Sequence, residues 1–95
     1  MNTLHLTIKK KWFDMICRGE KKEEYREIKP YYTSRFNGFI GTDRQILIRL
    51  KNGYEKGSPY VDVLCRIYID YGREDWGAEK NKRYYVLKID VVIRG

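Results

Sequence analysis

Residues 19–32 read GEKKEEYREIKPYY. Immediately upstream, Trp12, Phe13, Ile16 and Cys17 fall at one-three-one spacing, a single helical face running from about Lys10 to Arg18. Gly19 supplies the left-handed residue on which such a helix ends. At the other end Pro30 holds Lys29 extended and can itself open a short helix, Pro30 to Phe36. What remains between these two, Lys22 to Ile28, reads as a strand whose alternation is hidden by charge. The run is therefore a strand entered by a tight turn and left through a proline.

The rest of the chain supplies more strands. Leu4, Leu6 and Ile8 alternate with His5 and Thr7, the two-residue period of a half-buried strand. Ile46, Ile48 and Leu50 give a second, within Gln45 to Leu50, closed by KNG. Tyr54 to Tyr60 contains Gly57 and Pro59 and reads as loop. Val61, Val63, Cys65, Ile67 and Ile69 alternate over a long strand, YGREDWGAEKNKR interrupts, and Tyr85, Leu87, Ile89, Val91 and Ile93 form the last. Five strands with one or two short helices lack the regular βαβ alternation of a parallel sheet. The expected fold is α+β and mostly β, a small, mostly antiparallel barrel capped by helices. Periodicity leaves the strand order open.

A chain of 95 residues makes one domain, 1–95, and hides roughly 60–65% of its unfolded surface. Nine Tyr and two Trp give large burial per residue while keeping polar tips that can stay wet. The formal charge of +7 favours a polyanionic or phosphate-bearing partner. Its cations are dispersed: Lys9, Lys10, Lys11, Lys21, Lys22, Arg26 and Lys29 come early, and Arg66, Arg73, Lys80, Lys82 and Arg83 late. Folding has to gather them onto one face. Cys17 and Cys65 form no C-x-x-C pair and His5 is the sole histidine, so no zinc set and no other metal is expected. FNGFIGTD lacks the Lys-Ser/Thr ending of a phosphate loop, and no cofactor is implied. The opening MNTLHLTIKKKWF has no long apolar stretch, so neither a signal peptide nor a membrane span is expected, and reduced thiols suit a cytoplasmic protein.

On a regular strand Glu24 and Arg26 point the same way, about 7 Å apart along the chain. Lys21 lies in the turn after Gly19, where it can be aimed across the strand toward the same place. Two cations suit phosphate or the carbonyl edge of a base, and the carboxylate can accept from an exocyclic amine. The plainer alternative is a surface Glu24–Arg26 ion pair worth little. Tyr31, Tyr32, Tyr25 and Trp76 are available as stacking faces for bases. Tyr25 suits the core of a small barrel, whereas Trp76 sits in a polar loop as either an anchor or a ligand platform.

Gly19, Lys21, Glu24 and Arg26 match G-x-K-x-x-E-x-R, and on this motif the chain resembles the ASCH domain, the activating-signal-cointegrator homology domain, in its short phage and bacterial form. LTIKKKWFDMICRGEKKEEYREIKPYY has the family's order of strand, helix, motif and Pro-aromatic pair, and YGREDWGAEKNKRYYVLKIDVVI resembles its Trp-Gly loop and closing strand. The resemblance implies a PUA-like β-barrel with the motif lining a cleft, and a ligand that is single-stranded RNA, a nucleotide or a modified base. It places Gly19, Lys21, Glu24, Arg26, Tyr31 and Trp76 at that site. It also brings in enzymes: some members remove the acyl group from acylated cytidine and others are described as single-strand ribonucleases. In such an enzyme Lys21 and Glu24 would be catalytic, with Lys21 as base and one of Glu74, Asp75 or Glu79 as acid. The amidohydrolase group carries Thr where this chain has Glu24, and a carboxylate is not an activated hydroxyl. A protein-interaction module in transcriptional or phage–host control is the third class the resemblance allows.

Overall fold

In the computed structural model, which describes residues 3–93, the alternating segments are strands: β1 (Leu4–Thr7), β2 (Glu23–Arg26), β3 (Ile46–Lys51), β4 (Tyr60–Tyr71) and β5 (Arg83–Ile93). Helices α1 (Lys10–Cys17) and α2 (Pro30–Phe36) lie where the sequence places them, and a single 3₁₀ turn spans Glu74–Trp76. The strands make one sheet in the order β1-β3-β4-β5-β2. β1 runs parallel to β3, and the other three pairings are antiparallel. The domain is thus a small mixed α+β unit, mostly strand, with two helices on a curled, open sheet.

Alternation decides which face is buried. Leu6, Ile48, Leu50, Val61, Val63, Cys65 and Ile67 project from successive strands into one core, closed over by Ile16 of α1 and Phe36 of α2. β5 is covered on both faces, because Tyr85 and Leu87 enter that core while Tyr84 and Val86 pack beneath Ala78 and Tyr25 on the other side. The loop before β5 therefore acts as a second, smaller lid.

Curling has a local cause. Leu64 of β4 faces Val91 but Cys65 faces Ile89, leaving Asp90 as the extra residue of a bulge in β5. Bulges bend the strand and increase its twist. The carboxylate of Asp90 accepts from the Arg66 guanidinium at 2.8 Å and from Gln45 Nε2 at 3.1 Å, which fixes the bulge in place. The sheet's two edge strands, β1 and β2, form no ladder with each other. Instead Arg26 Nη2 donates to the Thr7 carbonyl at 2.8 Å, so one side chain stitches the seam between them.

Cys65 lies fully inside the core, and burial pushes its thiol up to about 12. Cys17 is half-buried on α1. At mildly alkaline pH a thiol reagent is expected to modify Cys17 alone in the folded protein and both cysteines only in denaturant, because the thiolate is the nucleophile. Rapid labelling of two thiols under native conditions would contradict this packing. Among the described residues no helix is long and apolar enough to cross a membrane.

Candidate site at the seam of the sheet

The C-terminal turn of α1 sets the site. Gly19 takes φ +78°, and the amides of Glu20 and Lys21 both return to the Met15 carbonyl, at 2.9 and 3.2 Å. This left-handed turn reverses the chain and drives the Lys21 side chain inward, where it is fully buried. Its ammonium donates to Glu24 Oε1 at 2.9 Å and to the Glu23 carbonyl. It lies 5.0 Å from the Tyr25 ring centroid and 5.5 Å from that of Trp12. The other oxygen of Glu24 accepts from Arg26 Nη2 at 2.8 Å. Lys21, Glu24 and Arg26 thus form one buried chain of charges, with the single carboxylate between two cations.

Burial orders the energetics. Lys21 has its pKa pulled below the ordinary 10.5 because loss of hydration outweighs the attraction of Glu24, and Arg26 adds to the lowering. The Glu24 side chain is 9% exposed, and that of Arg26 is 13% exposed at the seam, which separates this network from an ordinary surface ion pair. Arg26 also donates from Nη1 to the Tyr32 hydroxyl at 3.3 Å, while its buried Nε has no hydrogen-bond partner among the described residues.

Two hollows open on either side of Arg26. One, of about 310 Å³, is lined by Lys9, Trp12, Glu24, Tyr25, Arg26 and Tyr32 among others. The second, of about 410 Å³, presents His5, Arg26, Lys29, Tyr31, Tyr32 and Tyr54. They share Thr7, Arg26, Lys29 and Tyr32, so they are two halves of one cleft along the seam. No family model, curated protein or solved structure matches this chain.

The residues picked out from the sequence take different stations around the cleft. Glu24 and Arg26 line it. Lys21 holds Glu24 from beneath and lines neither hollow. Gly19 makes the turn and is exposed. Tyr31 lines the larger hollow, with its ring edge-on to Tyr32 at 5.0 Å and the Arg35 guanidinium 3.5 Å from its centroid. Trp76 lines neither hollow: it is half-buried beneath the Arg73 guanidinium, 4.2 Å from the ring centroid. Its neighbour Gly77, at φ +102°, makes the contact with the site, since a Cβ there would fall 2.9 Å from the Trp12 ring. Glu74, Asp75 and Glu79 are exposed and also line neither hollow. Asp75 is held by Arg73 at 2.8 Å and Glu79 by Lys82 at 3.2 Å.

Tyr25 and Tyr32, available in the sequence as stacking faces, line the cleft, and further residues that do so include Thr7, Trp12 and Lys29. Trp12 shares the helical face of Ile16, and that periodicity reads as core alone. It does not distinguish a ring wholly inside from one whose free face looks into a cleft. Lys29 had a signal, because the residue before a proline is extended and can carry its side chain clear of the helix that follows. Among the described residues no group of three His, Cys, Asp or Glu side chains is placed to hold a metal ion. The cleft instead offers a guanidinium, ammonium groups, aromatic faces and two carboxylates, Glu24 held by Lys21 and Arg26 and Glu27 at 3.6 Å from Lys82. That set suits a flat ligand with hydrogen-bonding edges and negative charge.

Proposed function

We propose that the chain is an ASCH-type domain of the PUA-like superfamily, working in the cytoplasm, and that it binds single-stranded RNA, or a nucleotide or modified base, at the seam between β1 and β2. The curled sheet is then the barrel of that fold, and the seam is its mouth. What carries the reading is the position of Arg26, on which two hollows meet between the rings of Trp12, Tyr25 and Tyr32. In this reading the base stacks on an aromatic face, Arg26 and Lys29 engage phosphate or a carbonyl edge, and Glu24 accepts from an exocyclic amine. Lys21 neutralises Glu24 from below rather than touching the ligand.

Titrating end-labelled single-stranded RNA with protein and following fluorescence anisotropy tests this directly. Arg26→Lys keeps the charge and loses the planar fork, and loss of a charge-assisted hydrogen bond of about 1.5–3 kcal/mol weakens binding by roughly ten- to a hundredfold. Lys29→Gln, on an exposed side chain outside the buried network, should also weaken it. RNA binding by both variants at wild-type affinity would remove the seam as the site.

The lowered pKa of Lys21 favours a second reading, since a general base has to shed its proton near neutral pH. Its enclosure under Trp12 and Tyr25, and Glu24 in place of a Thr, weigh against it. Mass spectrometry of acetylated cytidine incubated with a large excess of protein decides that point: unchanged substrate eliminates the deacylase. Intact RNA at the end of the anisotropy titration eliminates the ribonuclease.

A further inference from the structure

Sequence leaves open whether folding gathers the dispersed cations onto one face, and the ion pairs show which of them remain available. Lys10, Arg18, Arg66, Arg73 and Lys82 are each matched to a carboxylate on the surface. Of the cations that make no salt bridge among the described residues, Lys9, Lys29, Lys51 and Lys56 line hollows, whereas Lys11, Lys22, Lys80 and Arg83 line none of these. Lys51 and Lys56 belong to a third hollow of about 270 Å³, together with His5, Arg49, Ser58 and Tyr60.

That hollow adjoins the seam. His5 lines both it and the larger half of the cleft. In the sheet His5 is registered with Arg49 and Thr7 with Lys51, so these four side chains share the outer face of β1 and β3, opposite Leu6, Ile48 and Leu50. Thr7 at the seam and His5 at the hollow are two strand positions apart, roughly 7 Å. Asp62 holds Arg49 in a fork at 2.8 and 3.0 Å, and its guanidinium lies 3.9 Å from the Tyr60 ring centroid. Arg49 is therefore a fixed, largely neutralised wall, and Lys51 and Lys56 carry the uncompensated charge.

The geometry points to a second subsite here, a backbone-phosphate site for the same single strand whose base occupies the seam. This rests on the proposed function and extends it. The strand leaves Arg26 and Lys29, crosses the edge of β1 past Tyr54 and His5, and places a phosphodiester between Lys51 and Lys56. A single nucleotide reaches the seam alone, whereas an oligonucleotide reaches both.

The test compares wild type, Lys51→Gln/Lys56→Gln, and Lys80→Gln/Lys88→Gln, in which the same charge is removed from positions lining none of these hollows. Each is titrated by anisotropy into a labelled single-stranded RNA of about 12 nucleotides and into a labelled mononucleotide across a range of salt. Two lost phosphate contacts make the dependence of log K on log salt shallower by about 1.4 for the oligonucleotide. Between about 50 and about 200 mM salt that is roughly a sevenfold smaller loss of affinity than wild type shows. Mononucleotide binding stays at wild type, and the Lys80/Lys88 pair keeps the wild-type slope. If wild type binds the oligonucleotide in an Arg26-dependent way and both lysine pairs behave alike, the subsite is overturned and the seam reading survives. If wild type binds neither ligand, both fall together.

Discussion

Replacing Glu24 with alanine is expected to destabilise the domain by about 3–5 kcal/mol, the cost of leaving buried charge without its partner. Among the described residues Glu24 is the only carboxylate hydrogen-bonded to Lys21 and to Arg26, at 2.9 and 2.8 Å, and alanine leaves the fully buried Lys21 ammonium without a counter-charge and with Arg26 nearby. For a domain of this size that is a large share of total stability and lowers Tm by roughly 15–30 °C. Glu24→Gln keeps the shape and some acceptor capacity, so its loss should be smaller. Lys21→Met/Glu24→Leu removes one cation together with the carboxylate and should recover most of what alanine loses, because an apolar replacement of a buried pair is often near neutral. Urea unfolding of wild type, Lys21→Met, Glu24→Leu and the double variant closes a double-mutant cycle and gives the coupling. A loss below about 1 kcal/mol for Glu24→Ala would mean that the network is hydrated and behaves as a surface pair.

The same network predicts a pH effect with a definite sign. The folded-state pKa of Lys21 lies below 10.5, so over that interval the unfolded chain holds the proton more tightly and stability rises with pH. Burial of the ammonium is a penalty present at neutral pH and relieved on the way toward 10.5. Tyr25 works in the opposite direction, since burial raises its pKa above 10.0 and the unfolded phenol ionises first. The Lys21 contribution is isolated by subtracting Lys21→Met from wild type, and the stability of wild type relative to that variant should rise as pH approaches 10.5.

Local rules account for what the sequence shows of the fold. Pro30 and the extended Lys29 before it define α2, and Gly19 ends the turn after α1, because proline and left-handed glycine act on the backbone whatever surrounds them. The strand Lys22 to Ile28 shortens to Glu23–Arg26, the four residues registered with Tyr85 to Lys88 of β5. Its limits depend on a partner some 60 residues away, and so does the parallel pairing of β1 with β3. Spacing alone brings Glu24 and Arg26 to one side. The burial of Lys21 is not legible, since it requires Trp12 from α1, Tyr25 from β2 and the Glu24 carboxylate to converge. A lysine in a charged run carries no mark of that. Trp76 misleads for the opposite reason. Its polar surroundings suggest a free ring, while the contact with the cleft passes through Gly77, a residue with no side chain to notice.

Phe36→Ala is expected to have an effect as large, about 3–5 kcal/mol, for a different physical reason. Phe36 is fully buried and is the residue by which the short helix α2 enters the main core. Its ring stacks on Tyr32 at 5.9 Å with an interplanar angle of 19°, and it meets Tyr85 edge-on at 5.4 Å. A helix of seven residues has little intrinsic stability and depends on such an anchor. Tyr32 is also the residue whose hydroxyl receives Arg26, so losing the ring beneath it loosens one wall of the seam as well as the core. Phe36→Leu retains most of the apolar volume and loses the stack, which separates the two consequences: stability should fall by less, while RNA affinity falls because Tyr32 is no longer held parallel to a ring. Equilibrium unfolding and anisotropy on wild type and the two variants measure both. If Phe36→Leu binds RNA as wild type does, the orientation of Tyr32 is irrelevant to the ligand, and the aromatic contribution has to come from Trp12 and Tyr25 on the other side of Arg26.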